Sequence, residues 1–263
     1  MKLALARLCC VILFAETAAC SGKVALRHRP RRDAVHHYVL TMRDSRDDAP
    51  IVASVARTDQ VWTIYYTQLA RFTDRRGAGS EVSLQIDSAY PDLSSINGAT
   101  ILAFLDGRGQ LQRTEPDTAP GLLRAIAAVM APWFPEEPVE PGDGWTVTTP
   151  APLEVLELSG QDSSKLQLHA TLTALQKTVN DWIADVGING QLPTGETRVM
   201  TSLGALPARL SGTMIGRYRF SLPRSVMIFE ELTVSLTLVT DAPRVGRDTV
   251  LSRLVTQTTI RLQ

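Results

Sequence analysis

Apolar and polar residues alternate along most of the chain after Asp33. Tyr38, Leu40 and Met42 interleave with His37, Val39 and Thr41; Val82, Leu84 and Ile86 interleave with Ser83, Gln85 and Asp87. Leu166, Leu168, Ala170 and Leu172 face one way, and Gln167, His169, Thr171 and Thr173 the other. Leu232, Val234, Leu236 and Leu238 repeat the pattern, as does Thr249 to Leu262, and Val61 to Phe72 is long and rich in β-branched and aromatic residues. A period of two with one apolar face predicts antiparallel strands packed on one side. Around Thr173–Trp182 a helix is a weaker alternative, and the alternation argues for strand. Many of these runs exceed the usual strand length, which predicts a large curved antiparallel sheet, half-barrel-like, rather than a small sandwich.

One segment breaks the period. Pro120 to Phe134 places Leu122, Leu123, Ile126, Val129 and Met130 at helical spacing. Asp117 or Thr118 can cap it, Pro120 suits its first turn, and Pro132 and Pro135 end it. Arg124 is its only charge, so this short helix over 120–134 is expected to be buried against the sheet. Residues 135–152 hold five prolines and read as a seam between a first strand-rich half, 33–134, and a second, 153–263. The halves echo each other in outline, Phe104 to Leu111 against Phe220 to Met227, as any two hairpins would.

The N-terminus does not follow the body's pattern. Lys2 and Arg7 precede an apolar run from Leu8 to Phe14, and Thr17, Ala18 and Ala19 precede Cys20. Positive, apolar and small-residue regions in that order form a secretory signal over 1–19. Seven strongly apolar residues are too few to span a bilayer. The three cysteines all lie in the first 20 residues, so the body offers no disulfide, thiolate nucleophile or Cys-ligated metal. Residues 20–32 read as a basic tether: from Ser21 to Arg32 they carry +5 and no acid, whereas 33–263 is net −6. The tether is either a second, electrostatic membrane signal or a solvated linker. Zero formal charge for the whole chain argues against a nucleic-acid partner recruited by bulk positive charge.

Thr17–Cys20 resembles a lipobox, with the usual Leu replaced by Thr17. The resemblance implies acylation of Cys20, cleavage before it, and a lipid anchor in a bacterial envelope. Ser21 is not the Asp of inner-membrane retention, so the resemblance implies the outer membrane, facing the periplasm. Trp133 to Trp145 (WFPEEPVEPGDGW) resembles the mid-chain P-x-x-P-V-x-x-G-D-x-W phrase of uncharacterised envelope lipoproteins, matching at Pro135, Pro138, Val139, Gly142, Asp143 and Trp145. In outline the layout is also similar to periplasmic carriers of the LolA, LolB and LppX type, curved antiparallel half-barrels with helices over an apolar concave face.

Catalytic chemistry has little to work with. No G-x-S-x-G, H-E-x-x-H, P-loop or dinucleotide fingerprint occurs. His36 and His37 point to opposite faces of a strand, His28 lies in the tether and His169 is isolated, so no metal site is expected. Glu136, Glu137, Glu140 and Asp143 lack calcium-loop spacing and read as a solvated turn. Asp181 and Asp185 flank Trp182 and read as a solvated strand edge. Gly142 and Gly144 permit a turn that Asp143 closes, after which Trp145 starts a strand and packs near the helix. Trp62 and Tyr66 share one strand face. With Leu123, Ile126 and Met130 from the helix they are the candidate lining of an apolar surface. The expectation is a non-enzymatic, cofactor-free envelope lipoprotein, membrane-bound through Cys20. Its sheet binds a lipid or other apolar ligand, or, with a filled core, docks an envelope protein.

Overall fold

The computed structural model describes residues 22–50, 52, 58–73, 79–116, 119, 121–150, 165–241 and 249–263. Cys20 and the signal lie outside these residues, as do the candidate caps Asp117 and Thr118 and the helix-opening Pro120. Among the described residues the alternating runs form eleven strands: β1 (Val35–Asp48), β2 (Thr58–Thr73), β3 (Gly79–Tyr90), β4 (Thr100–Asp106), β5 (Leu111–Glu115), β6 (Gly144–Pro150), β7 (Lys165–Lys177), β8 (Trp182–Thr201), β9 (Gly204–Ser221), β10 (Val226–Thr240) and β11 (Thr249–Leu262). Every pairing is antiparallel.

All eleven belong to one sheet, in the order β5-β4-β3-β2-β1-β11-β10-β9-β8-β7-β6. The chain therefore runs as two meanders, and the β1–β11 pair joins its two ends in the middle of the sheet. The edges are β5 and β6, which are consecutive in sequence. The structure is an up-and-down barrel opened at one place, and the connection between β5 and β6 occupies the opening. That connection carries the helix α1 (Gly121–Val129). It is shorter than the expected 120–134. Met130 donates the last helical hydrogen bond, to Ile126 O at 3.0 Å, and Pro132, which lacks an N–H, stands in the extended segment beyond it. A small cavity of about 40 Å³ is lined by Gln110 and Leu111 of the β5 side, Ala128, Ala131 and Trp133 of the connection, and Val147 and Thr148 of β6. The α1 connection thus fills the gap between the edges.

Past the helix the chain is pinned inside the curl. Phe134 packs edge-on against Phe220 at 4.7 Å and near Tyr218 at 6.4 Å, both on β9. Its N–H donates to Arg108 O in the β4–β5 turn. Trp145, expected to bury against the helix, is partly buried, and its Nε1 donates to Trp133 O at 2.7 Å, beyond the helix end. The turn before it is closed as the sequence suggested: Glu140 N–H donates to Asp143 Oδ2 at 3.0 Å. Gly142 takes a positive φ of 100°, and Gly144 does not. The seam at 135–152 is thus part crossover and part edge strand, β6.

The expected tether requires correction from Gly22 onward. Leu26 and His28 are buried, and Pro30 is buried beside them. Val24 forms a β-bridge with Val139, His28 N–H donates to Gly107 O, Arg29 N–H to Ser225 Oγ, and Asp33 N–H to Ala70 O. Arg27 donates to Pro135 O at 2.8 Å and also to Glu136 O. The segment crosses one end of the curled sheet, where β2, β4 and β9 finish and β3, β5 and β10 begin. Charge counting misjudged it because alternate residues, Leu26, His28 and Pro30, point inward while Lys23, Arg29 and Arg31 stay in water.

Candidate functional site

Side chains of one parity from each strand line the concave face. At the end closed by residues 22–33 it is tightly packed: Tyr38, Leu40, Ile64, Tyr66, Tyr218 and Ile260 are each 2% exposed or less. Register sets Tyr38 opposite Tyr66, their rings stacked at 5.1 Å, and Glu230 opposite both Tyr218 and Ile260. Glu230 is 1% exposed, and neither carboxyl oxygen has a hydrogen-bond partner among the described residues. Desolvation holds its carboxyl well above the usual carboxylate range and so favours its neutral form. The hydroxyls of Tyr38 and Tyr66 are likewise buried and unpartnered among the described residues, that of Tyr218 is buried beside the Trp133 backbone, and burial raises all three phenols further from ionisation.

The far half of the same face differs. Met42, Leu192, Leu236, Leu238, Thr256 and Thr258 keep 7–9% exposure, and Trp62, Val234 and Leu254 are only half-buried. Across the strands Trp62 is level with Met42, Thr258, Leu232 and Gly216, and the next row is Gln60, Asp44, Thr256, Val234 and Met214. The floor is apolar with a polar stripe along β1 and β11. Burial raises the Asp44 carboxyl, and the Thr256 hydroxyl beside it works against that shift. Arg46 Nε donates to Asp48 Oδ1 at 2.9 Å at the stripe's end. Gly216 and Gly212 of β9 make room on this face for leucines of β10. A Cβ on Gly216 would collide with Glu231 O and Leu232 Cδ2, and one on Gly212 with Leu236 Cδ2. Leucines from β10 therefore lie flat across bare backbone.

The sequence-predicted lining separates between these zones. Trp62 lies on the less covered half, partly buried against the core. Tyr66 is in the packed half, Leu123 and Ile126 of α1 are buried in the core, and Met130 is partly buried against it. Sequence reading missed Glu230 and Asp44, although the signal was present. Glu230 continues the parity of Leu232–Leu238, and Asp44 that of Tyr38–Met42.

Elsewhere several candidate polar groups are satisfied locally, whereas His36 Nε2 is buried with no hydrogen-bond partner among the described residues. His28 Nδ1 shares a hydrogen bond with Ser80 Oγ at 2.9 Å, and desolvation lowers the ring's pKa to about 4. Asp181 accepts from Ser221 Oγ at 2.7 Å and pairs with Arg224 at 3.0 Å. Asp185 pairs with Arg219 at 2.7 Å and accepts from Gln176. It borders a convex-face recess of about 600 Å³ lined also by Arg217 and Phe229. Among the described residues no group of three or more His, Cys, Asp or Glu is placed to hold a metal ion, and no helix is long and apolar enough to cross a membrane.

Comparison with known proteins adds little. No known family profile and no curated protein matches the chain. Among solved structures, a DUF1329 family protein from Desulfovibrio piger aligns at 11% identity over 88% of this chain and 87% of that one, with a TM-score of 0.21. A MaoC-like dehydratase aligns at 8% identity over 88% and 77%, with a TM-score of 0.12. Likenesses at this level carry no argument about function.

Proposed function

We propose that this chain is a non-enzymatic envelope lipoprotein, anchored by acylated Cys20 in the outer membrane, that holds a lipid or other apolar ligand on its concave face. The observation that supports this reading is the gradient along that face. Tyr38, Ile64, Tyr66 and Tyr218 toward one end are each 2% exposed or less, while Trp62, Val234 and Leu254 toward the other are half-buried beside buried Leu210 and Met214. Apolar surface kept partly bare inside a curled sheet is what a ligand site of this class needs. The test is native mass spectrometry of protein purified from the envelope. We expect a diacylglyceryl mass on Cys20 and a lipid-sized adduct that organic extraction removes. A clean mass that stays clean after incubation with phospholipid vesicles would reject the carrier reading.

A second reading is an interaction module with a filled core. The packed half favours it, since Tyr66, Leu123 and Ile126 are buried among core residues. A clean mass together with a co-purifying envelope protein would support it.

A further inference from the structure

We infer that the end of the sheet crossed by residues 22–33 rests on an anionic lipid surface, with Val179 and Trp182 entering the headgroup region. The orientation rests on reading Cys20 as the anchor; the contact itself rests on the β7–β8 hairpin. The described chain begins at Gly22, two residues after Cys20, and Val24 is already bridged to Val139 at this end of the sheet. An acyl chain on Cys20 therefore has no long linker by which to hold this end away from the bilayer.

The same end carries the tight turn between β7 and β8, closed by Thr178 N–H donating to Asp181 O at 2.8 Å. Hairpin tips ordinarily carry Gly, Asn, Asp or Ser. Here Asn180 and Asp181 follow that rule, but the tip also presents Val179, 97% exposed, and the strand below it presents Trp182, 41% exposed. Lys177 Nζ stands 5.4 Å from the Trp182 ring. An aliphatic tip, an amphipathic ring and a flanking ammonium suit a bilayer interface, where each finds its own depth. The acid of this turn, Asp181, is taken by Arg224 and Ser221, so it adds no free negative charge. Arg29 hangs from the neighbouring β9–β10 turn through Ser225, and Arg31 and Arg32 follow it, all three exposed. Glu136, Glu137 and Glu140 lie near Val24, and the Glu140–Asp143 turn bonds to β7 through Gly142 N–H donating to Leu172 O, so the positive side of the contact is the Arg29 side of the hairpin.

The test uses the purified full-length protein in phosphatidylethanolamine–phosphatidylglycerol vesicles with brominated acyl chains, which quench tryptophan on contact. Four tryptophans contribute, so we expect about a quarter of the emission to be quenchable through Trp182 and to escape quenching in W182F. V179N should roughly halve that component, whereas L203N, at an exposed leucine on the opposite end of the sheet, should leave it unchanged. Equal quenching in wild type and W182F, or V179N and L203N behaving alike, overturns the proposal. Intact mass scores acylation separately. A chain without acyl mass that still shows Trp182 quenching keeps the contact and loses the anchored-lipoprotein reading; an acylated chain without that quenching does the reverse.

Discussion

Glu230 is the residue on which the interior chemistry turns. A carboxyl with no hydrogen-bond partner among the described residues can stay buried only in its neutral form. Its folded pKa lies above the ordinary 4.5, so the folded state holds a proton that the unfolded state releases. The stability linked to that proton is fully present below about pH 4.5 and is lost as pH rises toward the raised pKa, at up to about 1.4 kcal/mol per pH unit. Urea melts at pH 5, 7 and 9 should show this decline in wild type and a flatter profile in E230Q. Identical profiles would mean that the group is not buried as described. Gly216 makes the opposite kind of demand. Its missing Cβ is where Leu232 of β10 lies, so G216A should cost about 1–3 kcal/mol in a chemical melt, through overpacking. A neutral G216A would show that β9 and β10 can separate locally without penalty.

Among the elements, the segment 22–33 departs most from its sequence appearance. His28 is its inward anchor, hydrogen-bonded to Ser80 and buried. Its ring pKa falls to about 4 from an ordinary 6.5. A depressed base has the opposite sign to Glu230: its contribution is fully present above pH 6.5 and is lost as pH falls toward 4. The full window amounts to about 3 kcal/mol. Acidification should therefore release this segment first, read as faster tryptic cleavage at Arg27 and Arg31 at pH 5 than at pH 7.5 after correction for protease activity. H28N, which keeps a neutral polar group, should remove most of the difference, and a difference unchanged in H28N would place the acid-sensitive group elsewhere. Part of this element was readable: Leu26, His28 and Pro30 share a parity. The +5 charge of residues 21–32 hid that pattern because charge reports solvent preference for the odd positions only. The helix was legible in place and character from its spacing and prolines. Its role as filler between the edges was not, because spacing says nothing about which strands flank it.

For the whole molecule, the two strand-rich halves are one sheet. β1 pairs with both β2 and β11, and the β1–β11 register runs from Tyr38↔Leu262 to Asp48↔Ser252. Neither half can unfold without exposing the inner face of the other. A single cooperative transition is expected, with fluorescence and far-ultraviolet circular dichroism melts coinciding. Two resolved transitions would mean that the halves fold independently despite the shared pairing. What the sequence determined by itself was local. Period-two alternation specified strands and the face each buries, helical spacing specified α1, and glycine and aspartate chemistry specified the turn before Trp145. Parity also held the signal for Glu230 and Asp44 on the inner face, although the reading stopped short of both. The tertiary structure alone decided that β1 meets β11, that β5 and β6 remain as edges with the α1 connection between them, and that one half of the concave face is packed and the other is not. Those outcomes depend on long-range register and curvature. Two strands with the same alternation are interchangeable in pattern, and only packing in three dimensions selects which of them meet.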